Sequence, residues 1–244
     1  MFFLSNHYPV HTFKNVFAVV GCDGSGKSTL TADLITHLAQ QRQVEWLYLG
    51  QSSGNIGEWI RNLPIIGASF GRYLLRKAER AHNNNKETSS PDTLTALVIF
   101  LLSLWRALKF RRMLKLARRG VLVIADRYPQ AEVSGFYFDG QGLNSANAKS
   151  WLARQLLKQE TRLYQWMASH IPTLLIRLNI DAETAHARKP DHKLAILRDK
   201  VRVIPTLHFN GAPILDLNGR DPYPQVLDAA LTAINAAAKL PQHL

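Results

Sequence analysis

The segment Gly21-Cys22-Asp23-Gly24-Ser25-Gly26-Lys27-Ser28-Thr29 constrains this chain more than any other. It fits the pattern G-x-x-x-x-G-K-[ST]. The β-branched and aromatic run Val16-Phe17-Ala18-Val19-Val20 precedes it, and a helical pattern with Leu30, Leu34, Ile35 and Leu38 on one face follows. Strand, glycine-rich loop and helix, in that order, are the context in which this pattern binds phosphate. Glycines at 21, 24 and 26 let the backbone take positive φ and turn its N–H groups inward, and the helix adds the positive end of its dipole. The nest so formed suits a polyphosphate such as that of ATP, with further contacts from Asp23, Ser25 and Thr29. Lys27 would reach the β- and γ-phosphates, and the Ser28 hydroxyl would ligate Mg²⁺. The competing reading is a chance glycine-rich turn; the adjacent Lys-Ser, with the correct element on each side, tells against it.

Further apolar runs at 44–49, 121–125, 173–178 and 213–217 continue the rhythm, with helical patterns at 27–41, 93–118, 146–169, 182–189, 193–203 and 223–239. Near-continuous apolarity marks strands buried on both faces, as in a parallel sheet. The alternation predicts a three-layer α/β P-loop fold, a five-stranded parallel sheet with helices on both faces. At 244 residues and 46% hydrophobic, the chain suits one domain spanning 1–244. Residues 51–92 interrupt the rhythm and read as an insert. It contains a basic amphipathic stretch, 58–80, with Arg61, Arg72, Arg76, Lys77 and Arg80, suited to covering an anionic acceptor or touching a membrane surface.

The formal net charge of +12 points to anionic partners, nucleotides first. Aromatic residues are not interleaved with the basic ones as on a single-strand platform, so nucleic acid is not expected. Cys22 is the single cysteine, which excludes an internal disulfide and fits a reducing compartment. The apolar segment 94–105 falls short of the roughly 20 residues a spanning helix needs. The expectation is a cytoplasmic protein without a transmembrane segment; a peripheral membrane contact and a homodimer are both compatible with the sequence. Beside the loop N–H groups and a helix N-terminus, the Cys22 thiol is expected to have a lowered pKa and to be shielded by Mg-ATP.

A second motif closes the predicted strand at 121–125, where Asp126-Arg127-Tyr128 follows. An Asp at a strand tip beside a phosphate loop can hold Mg²⁺, and the neighbouring Arg can neutralise a phosphate in the same cleft. With these two motifs the chain resembles the thymidylate kinase family of P-loop nucleoside and nucleotide kinases. A third similar segment is Asp181-Ala182-Glu183-Thr184-Ala185-His186-Ala187-Arg188-Lys189. The resemblance implies ATP as phosphoryl donor, Mg²⁺ held by Ser28 and Asp126, and a lid over about 182–202 whose cations close on the phosphates. Gly24 stands where some members carry an arginine, so the lid must supply the transition-state cation, with Arg188 the first choice. Lys27, Arg127 and Arg188 are thereby the catalytic residues. Arg220 would border the adenine, and Asp23, Arg106, Arg127 and Tyr128 would face the acceptor; Asp139, before Gly140, reads either as a turn residue or as a further acceptor contact.

Departures from the family cluster on the acceptor side. Gly50-Gln51-Ser52 stands where the family's second strand ends in Arg-Glu-Pro, and Leu102 stands where an aromatic residue stacks on the base. The acceptor is then a nucleoside monophosphate, with dTMP the first guess, or else a nucleoside or another small molecule in a rebuilt pocket. A phosphate acceptor is already ionised. A hydroxyl acceptor would need a base, for which Asp23, Asp126, Glu132 and Asp139 are available. A P-loop protein that binds nucleotide without catalysis is the remaining reading. Away from the site, Trp151, Leu152, Leu156, Leu157 and Leu163 lie at helical spacing and read as core, and His170 reads as a surface or packing residue.

Overall fold

A computed structural model of the chain describes residues 8–50, 93–133, 136–137, 140–141 and 150–239. The strands are β1 (His11–Thr12), β2 (Val16–Gly21), β3 (Val44–Tyr48), β4 (Leu122–Asp126), β5 (Phe136–Tyr137), β6 (Gly140–Gln141), β7 (His170–Ile171), β8 (Leu174–Asn179) and β9 (Ile214–Asn218). The helices are α1 (Lys27–Leu38), α2 (Thr93–Arg118), α3 (Trp151–Ala168), α4 (Ala182–Arg188), α5 (Leu194–Val203) and α6 (Tyr223–Lys239). Five strands form one all-parallel sheet in the order β3-β4-β2-β8-β9. With helices on both faces, this is a P-loop nucleotide-kinase-like fold.

Burial follows position in the sheet. β2 and β4 are buried at every residue, whereas the edge strands β3 and β9 are largely half-buried. Side chains alternate across the central strands. Phe17, Val19, Ile124 and Ile176 meet Leu30, Leu34 and Leu38 of α1 and Val226, Ala230 and Ile234 of α6. Val16, Ala18, Val20, Val123, Ala125 and Leu175 line the opposite core, with Phe110 and Met113 of α2, Tyr164 and Met167 of α3, and Leu197 of α5.

Capping sets two of the helix starts. The Ser150 hydroxyl accepts from Ala153 N at 3.1 Å before α3, and Asp181 Oδ1 accepts from Thr184 N at 2.7 Å before α4. Among the residues read as core, Trp151 and Leu152 are instead exposed, at 70% and 45%. The inward face of α3 runs through Ala153, Glu160, Tyr164 and Met167, with Ala153 packed on Ala96 of α2; Trp151 falls on the opposite face of the helix and Leu152 on its flank. His170 is a packing residue, ringed by Phe13, Phe110 and Trp166. The two-residue pairs β1–β7 and β5–β6 were not legible as strands. The 51–92 insert, residues 146–149 and Asp139 lie outside the described residues. No helix among the described residues is long and apolar enough to cross a membrane.

Candidate active site

The glycine-rich loop leaves β2 at the carboxyl edge of the sheet and enters α1 through Gly26, whose φ of 93° and ψ of 8° are left-handed. Gly24 has φ 84°, and a Cβ there would stand 2.5 Å from the Ala185 carbonyl oxygen of α4. The loop backbone thus lies directly against α4, a contact only glycine permits. Ser25 Oγ is buried without a hydrogen-bond partner among the described residues. Thr29 and Ser28 are exposed in the first turn of α1.

Lys27 is 6% exposed and donates from Nζ to the Cys22 carbonyl at 2.6 Å. Burial, reinforced by the nearby Arg127 charge, lowers its pKa to about 8. Cys22 itself is 3% exposed, and burial pushes its thiol up despite Lys27. This reverses the expected acidic thiol. The side chain sits in the apolar core beneath the sheet, where loss of hydration outweighs the loop's charges.

Asp23 is the hub of the cleft. Its Oδ1 accepts from Arg127 Nη2 at 3.1 Å and its Oδ2 from Lys200 Nζ at 2.5 Å, while His192 Nδ1 lies 3.9 Å away. Burial alone would raise its pKa. The Lys200 charge and hydrogen bond, with Lys27 and Arg127 behind them, hold it well below the usual carboxylate range. Arg127 reaches Asp23 from a left-handed backbone (φ 71°) that is stabilised by its N–H donating to the Val19 carbonyl at 2.8 Å. Such a conformation costs roughly 1–2 kcal/mol for a non-glycine residue, so its presence marks a position held by its surroundings.

Asp126 ends β4 opposite Val19 of β2, 3% exposed, with Oδ1 buried and lacking a hydrogen-bond partner among the described residues. Burial raises its pKa, although Lys27 and Arg127 pull the other way. A buried carboxylate oxygen without a donor fits a cation, and the exposed Ser28 hydroxyl fits the same role. Mg²⁺ is commonly held by one or two protein oxygens, with phosphates and water completing its shell.

Arg188, read from the sequence as the lid cation, donates from Nη1 to the Gly219 carbonyl at 3.0 Å and to that of Gly24 at 3.4 Å, so it bridges the loop and the turn after β9. Arg220 in that turn pairs with Asp181 at 3.4 Å. Arg220 also lines a cavity of about 490 Å³ bounded by Asn179, Ile180, Asp181, Asp216, Leu217 and Asn218.

Arg106, read from the sequence as an acceptor contact, is 1% exposed. Its Nη1 donates to Tyr164 Oη at 3.2 Å, and its Nε and Nη2 are buried without partners among the described residues. The Tyr48 ring lies 5.6 Å from both the Arg127 guanidinium carbon and Lys109 Nζ. Tyr128, by contrast, is placed in the core. It is 1% exposed, donates its hydroxyl to the His170 carbonyl at 2.7 Å and sets its ring edge-on to Phe110. Glu132 accepts from His208 N at 2.8 Å and Asn210 N at 3.2 Å, so both its oxygens serve a loop.

Sequence reasoning missed Tyr48 and Lys109, and for Lys200, inside the basic 182–202 run, it weighed a solvated helix face. Lys200 carried a signal, since it lies three residues after Leu197 and four before Ile204, both buried, and so shares the inward face of α5.

No family model matches the chain. Two proteins of Escherichia coli strain K12 do. It is 58% identical over 222 residues to one named "Uncharacterized ATP-binding protein YghS", covering 91% of this chain and 93% of that one. It is 45% identical over 223 residues to "Uncharacterized ATP-binding protein YghR", covering 91% and 88%. Both alignments take in most of each chain at high identity, and this protein therefore belongs to the family of YghS and YghR.

Proposed function

We propose that the protein binds Mg-ATP on the Gly21–Thr29 loop and transfers the γ-phosphoryl group to a small phosphate-bearing acceptor, a nucleoside monophosphate with dTMP the first candidate. The observation that carries this reading is the convergence of Lys27, Arg127 and Lys200 around Asp23, with Asp126 buried beside them. Relatives named ATP-binding proteins support the donor. The likeness to thymidylate kinases supports the reaction.

In this reading the acceptor oxygen forms a bond to the γ-phosphorus as the bond to the β–γ bridging oxygen breaks, and ADP leaves with that electron pair. Such a transfer depends on positioning and on neutralising charge. Lys27 leaves the Cys22 carbonyl for the β- and γ-phosphates. Arg127, already at the junction of loop and β4, faces both donor and acceptor phosphates. Mg²⁺, for which Ser28 and Asp126 fit, would neutralise the β- and γ-oxygens. Lid cations enclose the γ-phosphate and keep water out.

Two of the four candidate bases are engaged elsewhere and Asp126 fits the metal, which favours an acceptor that is already ionised. Asp23 is committed to Arg127 and Lys200 and is far too acidic to take a hydroxyl proton, and Glu132 is turned to the His208–Asn210 backbone. The test is labelled ATP against a panel of nucleoside monophosphates, nucleosides and sugar phosphates. The expected result is label transferred to a monophosphate. Label on a nucleoside hydroxyl alone would overturn the acceptor class, and tight ATP binding without transfer to any acceptor would overturn the enzyme.

A further inference from the structure

The cation read from the sequence as the lid's catalytic group, Arg188, is exposed and satisfied by the Gly219 and Gly24 carbonyls. A different lid cation stands over the loop. Lys200 reaches from α5 to Asp23 Oδ2 at 2.5 Å with only 14% of its side chain exposed, and Arg127 holds the other oxygen of that carboxylate at 3.1 Å. We propose that Lys200 is the lid's γ-phosphate-contacting residue, held in place by Asp23 and paired across that carboxylate with Arg127. Its catalytic consequence rests on the phosphotransferase reading; its contact with the nucleotide does not.

Charge and placement both argue for it. Two carboxylates, Asp23 and Asp126, face three cations, Lys27, Arg127 and Lys200, so the cleft carries one surplus positive charge in a poorly hydrated place. That arrangement is unfavourable unless an anion completes it. Asp23 lies within the loop that would bind the phosphates, so an ammonium on its carboxylate is already beside them. The helix that presents Lys200 is firmly anchored. Arg177 donates to the Ile204 and Leu207 carbonyls at 3.2 and 2.9 Å, just beyond the end of α5, and is itself fixed by Asp216 at 2.6 and 2.7 Å. During transfer Lys200 would donate an N–H to a γ-phosphoryl oxygen and keep its proton throughout, acting by charge.

The test compares equilibrium affinities for ATP and ADP in Lys200→Gln, Lys200→Arg, Asp23→Asn and Arg188→Gln. Losing a charged hydrogen bond to the γ-phosphate should weaken ATP about tenfold or more in Lys200→Gln while leaving ADP within about twofold. Lys200→Arg should keep most of the preference for ATP, and Arg188→Gln should weaken both nucleotides alike. If Lys200→Gln does not fold, Asp23→Asn carries the test, because freeing Lys200 and Arg127 from their carboxylate should raise ATP affinity relative to ADP. An unchanged ATP-to-ADP ratio in Lys200→Gln, or in Asp23→Asn where that variant decides, overturns the assignment. These are binding measurements and read out whether or not any acceptor is phosphorylated, so failure of the labelled-ATP assay rejects the enzyme without touching this result.

Discussion

The core beneath α1 and α6 and the ionic cluster around Asp23 are built on the same strands and solve opposite problems. In the first, Leu30, Leu34, Val226, Ala230 and Ile234 cover Phe17, Val19 and Ile176, and the gain comes from removing hydrocarbon from water. In the second, just past the strand tips, Asp23, Lys27, Asp126, Arg127 and Lys200 are gathered where hydration is poor. Charges placed there contribute little to folding, because desolvation offsets their attraction, but they interact strongly with an incoming anion. One region supplies stability and the other stores unmet electrostatic demand.

The sharpest way to break this division is Leu34→Ala. A fully buried leucine truncated on that face should cost about 2–5 kcal/mol of stability by denaturant unfolding while leaving the ATP affinity of the folded protein unchanged. A matching loss of affinity would mean the two regions are not separable. Lys27→Ala should do the reverse. Phosphoryl transfer should fall roughly 10²–10³-fold, the order seen when one preorganised electrostatic contact is removed, with the melting temperature held or slightly raised. A variant that unfolds early would place Lys27 in the structural region.

Acidity gives a graded test of the same contrast. Lys27 titrates near 8 in the unliganded protein, whereas bound phosphates favour its charged form, so ATP binding takes up a proton above that pH. ATP affinity should be flat below about pH 8 and fall up to about tenfold per unit from there toward the ordinary lysine pKa. Over the same window the unfolded chain holds a proton the native protein has lost, so this residue's contribution to stability rises with pH. Titrating ATP affinity in Lys27→Met should abolish the slope; a slope that survives assigns it elsewhere. The smallest effect belongs to Cys22. Being buried and raised in pKa, it should react with a bulky alkylating agent about tenfold or more slowly than a free thiol, followed by mass spectrometry. Rapid labelling would show that the loop opens more readily than its packing indicates.

The apolar region was almost fully legible in the sequence, and the ionic one only in part. Central strands announced themselves because burial on both faces leaves little room for polar residues, and each boundary fell within a residue or two of the observed one. The phosphate loop and Asp126-Arg127 were legible because their chemistry is local to the chain. Lys200 was not, since a lysine on a helix ordinarily faces water, and only the fold brings it to a carboxylate far away in sequence. Tyr128 misled for a related reason. Following Asp-Arg it reads as a site residue, yet the left-handed turn at Arg127 sends it back into the core. Trp151 and Leu152 are apolar but lie off the face of α3 that Ala153, Glu160, Tyr164 and Met167 bury, which apolar spacing alone did not reveal.

The contact between Gly24 and Ala185 bears on how this lineage can change. An arginine at position 24 would bring its own cation to the phosphates, but its Cβ would have to occupy space 2.5 Å from a backbone oxygen that no rotamer change can move. That mutational route is closed unless the 182–188 helix shifts first. Loop and helix are thus bound to one inheritance: a descendant that places a side chain at position 24 must alter both segments together, and sequences of this family should vary at the two places in concert or at neither.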